Sequence, residues 1–162
     1  MSQATAAAAQ RSEFGQKLYE GLEALPSSSR MTNEQLEVIY ALAYAHVTQG
    51  QYAQALPVFT ILATYGPTRK HYIAGLALCL QMCERYEEAI SMYSLMATLF
   101  PGSPEPALQV AECFLMLGRT DEAHDELERV LRCIAEAGGQ YDAWKPRAQV
   151  LAGLVGGRRL AA

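Results

Sequence analysis

The sequence has little with which to do chemistry. It holds no Gly-rich phosphate loop, no Gly-x-Ser-x-Gly turn and no His-Glu-x-x-His run, which excludes the commonest phosphate, acyl-transfer and zinc-hydrolase sites. His46, His71 and His124 fall in no set of Cys, Asp or His at zinc-ligand spacing. Cys79 and Cys83 are four apart and share a helix face, but their small apolar side chains read as packing residues. With Cys113 and Cys133 they follow no disulfide-scaffold spacing, so reduced thiols in a cytoplasm are expected. No catalytic residue, metal or cofactor is expected, and the chain does not read as an enzyme. Positive charge is also scarce. The 13 Lys and Arg are outnumbered by 17 Asp and Glu, a net charge of −4, which disfavours nucleic acid or an anionic membrane surface as partner. No run approaches the roughly 18 apolar residues of a spanning helix. The start, MSQATAAAAQR, lacks the basic segment and apolar core of a secretory signal. Stable membrane association is not expected.

What the chain does have is a repeat. Hydrophobic residues make up 51% of it, enough for a continuous core, and they recur with a period of 34 over 36–69, 70–103 and 104–137. Counting from the first residue of each copy, position 7 holds Leu42, Leu76 and Val110. Position 8 holds Ala43, Ala77 and Ala111, and position 20 holds Ala55, Ala89 and Ala123. Position 24 holds Phe59, Tyr93 and Leu127, and position 32 holds Pro67 and Pro101. This pattern resembles the tetratricopeptide repeat, a helix–turn–helix unit of that length. One helix pair cannot bury its apolar side alone, so successive pairs stack. Ala at 8 and 20 lets the paired helices approach, larger residues at 7 and 24 fill the remaining space, and Pro at 32 ends the second helix. The predicted fold is therefore all-α: three tandem repeats, with a concave groove in the right-handed superhelix that such stacks form.

Around the repeats, 1–11 reads as disordered. Residues 12–25 carry Phe14, Leu18, Leu22 and Leu25 at helical spacing and predict a short amphipathic helix. Its apolar stripe needs either the first repeat or a second subunit. Thr32 and Gln35 suggest a capping box, and Gly50 closes the helix it opens. Further helices are predicted over about 52–65, 69–83, 86–99, 105–117 and 121–137. Glu84 stands where this repeat usually has Gly, so a differently built turn is expected there. A last helix over 142–155 should cap the stack, and 156–162 reads as a flexible tail. The whole of 12–155 is read as one domain.

The leading helix of each pair should line the groove. Positions 4, 7, 8 and 11 face the partner helix, whereas 2, 5, 9 and 12 point away from it. The latter set gives Glu37, Tyr40, Tyr44 and Val47 in the first repeat, His71, Ala74, Leu78 and Gln81 in the second, and Glu105, Leu108, Glu112 and Leu115 in the third; all but Glu37 and Glu105 are taken as the peptide-binding residues. A merely solvated face would be polar. Tyr40, Tyr44, Val47, Leu78, Leu108 and Leu115 are not, which points to a surface for an extended apolar peptide. Tyr52, Tyr86 and Tyr93 fall on ordinary packing positions. Some tetratricopeptide modules clamp a heat-shock carboxylate terminus with basic groove residues. Here Tyr40, Tyr44 and Gln109 occupy the clamp positions, so a free carboxylate is not the expected ligand.

The runs Ile39–Tyr44 and Ala111–Leu115, within three repeats flanked by an N-terminal and a C-terminal helix, resemble the class II chaperones of type III secretion systems. The resemblance covers about 12–135. It implies a cytoplasmic chaperone of a Gram-negative bacterium whose clients are the two apolar translocator proteins of the system. It also implies that the groove takes an extended client segment with Leu and Pro anchors, and that homodimers form through Phe14, Leu18 and Leu22. Val47, where the family often has Tyr, and His71, at a frequently charged or polar position, depart from its pattern. The alternative is a generic tetratricopeptide scaffold in another bacterial assembly.

Overall fold

The computed structural model describes residues 11–161. Residues 1–10, most of the stretch expected to be disordered, lie outside the described residues, as does Ala162. Among the described residues there are eight α-helices and no strand: α1 Glu13–Glu23, α2 Asn33–Thr48, α3 Tyr52–Tyr65, α4 Lys70–Met82, α5 Tyr86–Leu99, α6 Glu105–Met116, α7 Thr120–Glu136 and α8 Lys145–Ala161. Short 3₁₀ turns at Pro26–Ser29 and Asp142–Trp144 precede α2 and α8. The bounds of α3 to α7 coincide with those predicted to within one residue at either end. Each helix packs on the next from α2 to α8, and the leading helices also touch across the stack, α2 on α4 and α6 on α8.

Local chemistry explains the starts and stops. Thr32 accepts from the Gln35 amide, and the Gln35 side chain accepts from the Thr32 amide, the reciprocal cap that opens α2. Between paired helices the chain turns through a left-handed residue, Gly50 (φ 71°) in the first repeat and Gly118 (φ 73°) in the third. Glu84 takes the same conformation, φ 61°, in the second. The same closing bond forms in all three turns, from Gln51 N–H to His46, Arg85 N–H to Leu80 and Arg119 N–H to Phe114, each 2.9 Å. The expectation of a differently built turn is thus corrected: the motif forces Glu84 into the glycine conformation, at a cost of about 1 kcal/mol. Pro57 lies inside α3 without ending it; having no N–H, it leaves the Ala53 carbonyl without its ladder partner.

The Ala residues at positions 8 and 20, Ala43, Ala55, Ala77, Ala89, Ala111 and Ala123, are completely buried, as close helix approach requires. Position 7 divides. Leu76 and Val110 are buried, but Leu42 is 54% exposed. In the third repeat Val110 stands beside Ser94, Ala97 and Thr98 of the trailing helix that precedes it. In the first there is no such helix, because α1 packs elsewhere, on α5.

Leu18 and Leu22 of α1 pack on Ile73, Met96 and Leu99. Tyr19 meets Phe100 edge-on at 6.5 Å, and Arg11 lies over the Tyr19 ring at 3.9 Å while donating to the Leu99 carbonyl. The stripe expected to join two subunits is thus largely covered by the chain's own repeats, and only Phe14 of its three named residues stays open, at 70% exposure. At the other end α8 occupies the place of a fourth leading helix. Ala148 and Val155 are completely buried against the third repeat. The helix continues to Ala161, past the predicted end at Val155, so the segment expected as a frayed tail is helical that far. Gly156 and Gly157 each weaken a helix by about 1 kcal/mol but do not by themselves end one.

Candidate functional site

The leading helices α2, α4 and α6 leave a cleft of about 290 Å³ on the concave side. Tyr40, Tyr44 and Val47 stand on α2 one turn apart, so they share a face. His71, Ala74, Gly75 and Leu78 do the same on α4, and Glu105 and Gln109 on α6. Phe59 of α3 and Tyr93 and Met96 of α5 reach between the leading helices and form the floor.

The wall at the first repeat is aromatic. Tyr40 is its centre, with ring centroids at 4.9 Å from His71, 5.7 Å from Tyr72, 6.1 Å from Phe59 and 6.1 Å from Tyr44. Such edge and tilted contacts fix ring orientation. Burial raises the Tyr40 hydroxyl pKa above its ordinary value. Tyr72 lies wholly in the core but donates from its hydroxyl to Glu37 at 2.8 Å. Burial, reinforced by that bond, pushes its pKa up to about 12, while the same bond draws the Glu37 carboxyl below its usual range. The cluster thus presents Tyr44, 56% exposed, on a rigid backing. Gly75 makes the depth possible: a Cβ there would lie 2.0 Å from the Phe59 ring. Only glycine lets that ring cross beneath α4.

The third-repeat end is polar. Tyr93 donates to Gln81 at 2.8 Å, and burial raises its pKa. With its amide nitrogen turned inward, Gln109 donates to Glu112 at 3.0 Å and to Gln81 at 3.2 Å. Arg147 of α8 closes the row on Glu112 at 2.5 Å.

Of the ten residues expected to line the groove, six meet in the cleft: Tyr40, Tyr44, Val47, His71, Ala74 and Leu78. Gln81 and Glu112 belong to the polar row at its end. Leu108 and Leu115 do not line it. They are 0% and 9% exposed, in one cluster with Leu127, Ala148 and Val155. The correction has a simple cause: α8 lies against α6 and α7 and covers that part of the groove face. Phe59, Gly75, Tyr93 and Met96 join the cleft unexpectedly. Tyr93 stands on a packing position of the repeat, and it is both buried and part of the floor. The one available signal was Gly75, a glycine in the middle of a helix otherwise free of breakers. Cys79 is buried in the main core, where burial pushes its thiol up to about 11, and no group of three metal-ligating side chains forms among the described residues.

Two family models, each described as tetratricopeptide repeat, match residues 36–68 and 80–143. Among solved structures the chain is similar to PcrH in complex with the chaperone binding region of PopD, at 28% identity and TM-score 0.71, over 80% of this chain and 97% of that one. PcrH from Pseudomonas aeruginosa is similar at 28% identity and TM-score 0.68, over 81% and 98%. The Yersinia enterocolitica type III secretion chaperone SycD in complex with a peptide of the translocator YopD is similar at 25% identity and TM-score 0.70, over 81% and 99%. No curated protein matches by sequence.

Proposed function

We infer that this chain of tetratricopeptide repeats is a chaperone of the translocator kind, and propose that it holds apolar translocators of a type III secretion system soluble in the cytoplasm before export. The observation that carries this is the cleft itself: an apolar, aromatic-walled trough on the concave side, open between the first two repeats. PcrH is solved with the chaperone binding region of PopD, and SycD with a peptide of the translocator YopD. An extended segment would lie along α2 and α4 with apolar anchors such as Leu and Pro against Tyr40, Tyr44, Val47, Ala74 and Leu78.

The mechanism is holding, without bond chemistry. Binding an extended segment orders it, and that entropy offsets much of the contact energy, so moderate and reversible affinity suits a chaperone that must release its client. Tyr44 offers area on a pre-set ring and therefore loses little freedom on binding. Self-association is part of the proposal. In this chain Val38 and Leu42 of α2, with Phe14 of α1, are large apolar side chains left open, at 73%, 54% and 70% exposure, and they favour it.

The test is coexpression with the apolar translocators of the same secretion system. The expected result is a soluble, copurifying client with the native chain and an insoluble one with Leu78→Asp, whose circular dichroism is unchanged. A client equally soluble with the native chain and with Leu78→Asp would overturn the reading.

A further inference from the structure

The cleft has a chemical asymmetry that the apolar anchors do not use. Its first-repeat end is aromatic and aliphatic. At its third-repeat end stands Glu105, the one Asp or Glu among the lining residues, which include no Lys or Arg. The Glu105 carboxylate makes no hydrogen bond or ion pair among the described residues, whereas its backbone amide donates to Ser103. The nearest cation of the polar row, Arg147, is already tied to Glu112. A peptide laid along the cleft would strip water from Glu105. Covering a carboxylate with apolar groups is costly, whereas covering it with a cation is favourable.

We propose that Glu105 is a specificity determinant of the groove, selecting client segments that carry a Lys or Arg beside the apolar anchors, on the side that reaches the third repeat. This rests on the groove reading above and adds a rule to it: anchors choose the register, and the basic side chain chooses among segments with similar anchors. A segment with Asp or Glu at that place meets an unpaired carboxylate and is rejected by like-charge repulsion.

The experiment uses fluorescein-labelled peptides built on one Leu-x-x-Pro core, with Lys on the N-terminal flank, Lys on the C-terminal flank, or Glu on both. Binding to the full chain is read by anisotropy. One of the two Lys peptides is expected to bind about three- to tenfold more tightly than the Glu peptide at low salt. Which one it is gives the direction of the bound chain. The gap should shrink as ionic strength rises. It should vanish in Glu105→Gln and reverse in Glu105→Lys, with helicity unchanged in both. Affinities within twofold for all three peptides, or a gap that survives Glu105→Gln, would overturn the inference while leaving the groove reading intact. If no peptide binds the native chain, or if Leu78→Asp binds all three as the native chain does, the groove reading fails and this inference with it. A native gap unmoved by salt would also overturn the inference, and that measurement needs no variant.

Discussion

The first and third repeats carry the same pattern and end differently. At position 5 the first repeat has Tyr40, half-buried in an aromatic wall, and the third has Leu108, wholly buried. At position 9 the first has Tyr44, 56% exposed, and the third has Glu112, bridged to Arg147. The difference lies in the neighbour each leading helix meets next in the stack. After α2 comes α4, which offers His71, Ala74 and the bare backbone of Gly75, so space remains and Phe59 reaches into it. After α6 comes α8, whose Ala148 and Val155 fill the corresponding space. A groove face in a helical stack is thus set by the next helix as much as by its own residues.

The largest effect is expected where the third repeat is treated as core. Leu108→Ala should lower unfolding free energy by about 2–4 kcal/mol, read by urea denaturation, because it opens a cavity under α8. The mirror experiment is Tyr44→Ala. There the stability should hold to within about 0.5 kcal/mol, while affinity for a translocator peptide falls about tenfold by calorimetry. If both variants lose stability alike, the two ends of the groove are not different in kind. Smaller is Arg147→Ala, which frees Glu112 and should cost about 0.5–1 kcal/mol for a partly exposed pair. Its loss should be roughly halved in high salt. Smallest, and opposite in sign, is Glu84→Gly. It relieves the left-handed residue of the middle turn, less the extra freedom glycine adds to the unfolded chain, and should raise the urea midpoint by an amount worth about 0.5 kcal/mol.

The repeat helices were legible because their signals are local and periodic. Ala at positions 8 and 20 and Pro at 32 fixed which residues pair, and α3 and α5 fall where the pattern put them. In the site, Tyr40, Tyr44 and Leu78 were legible from helical spacing alone. Leu108 and Leu115 were not, because their fate depends on α8, whose docking follows no repeat pattern. Leu42 failed for the converse reason: position 7 is core only if another helix precedes it, and α1 went instead to α5. Phe59 and Tyr93 have core periodicity; Phe59 reaches the cleft through the gap at Gly75, and Tyr93 lines it while donating to Gln81. Leu18 and Leu22 read equally well as an intersubunit or an intrachain stripe, because periodicity marks an apolar face and not what meets it; within the chain they pack on Ile73, Met96 and Leu99.

The most direct test of the account is to titrate the chain, labelled at its aromatic rings and Leu methyl groups, with a translocator peptide and follow the resonances. The account predicts that Tyr40, Tyr44, Phe59 and Leu78 shift together with one affinity while Leu108 and Leu115 stay in place. Shifts centred on Leu108 and Leu115, or on the convex face, with Tyr44 and Leu78 silent, would contradict it.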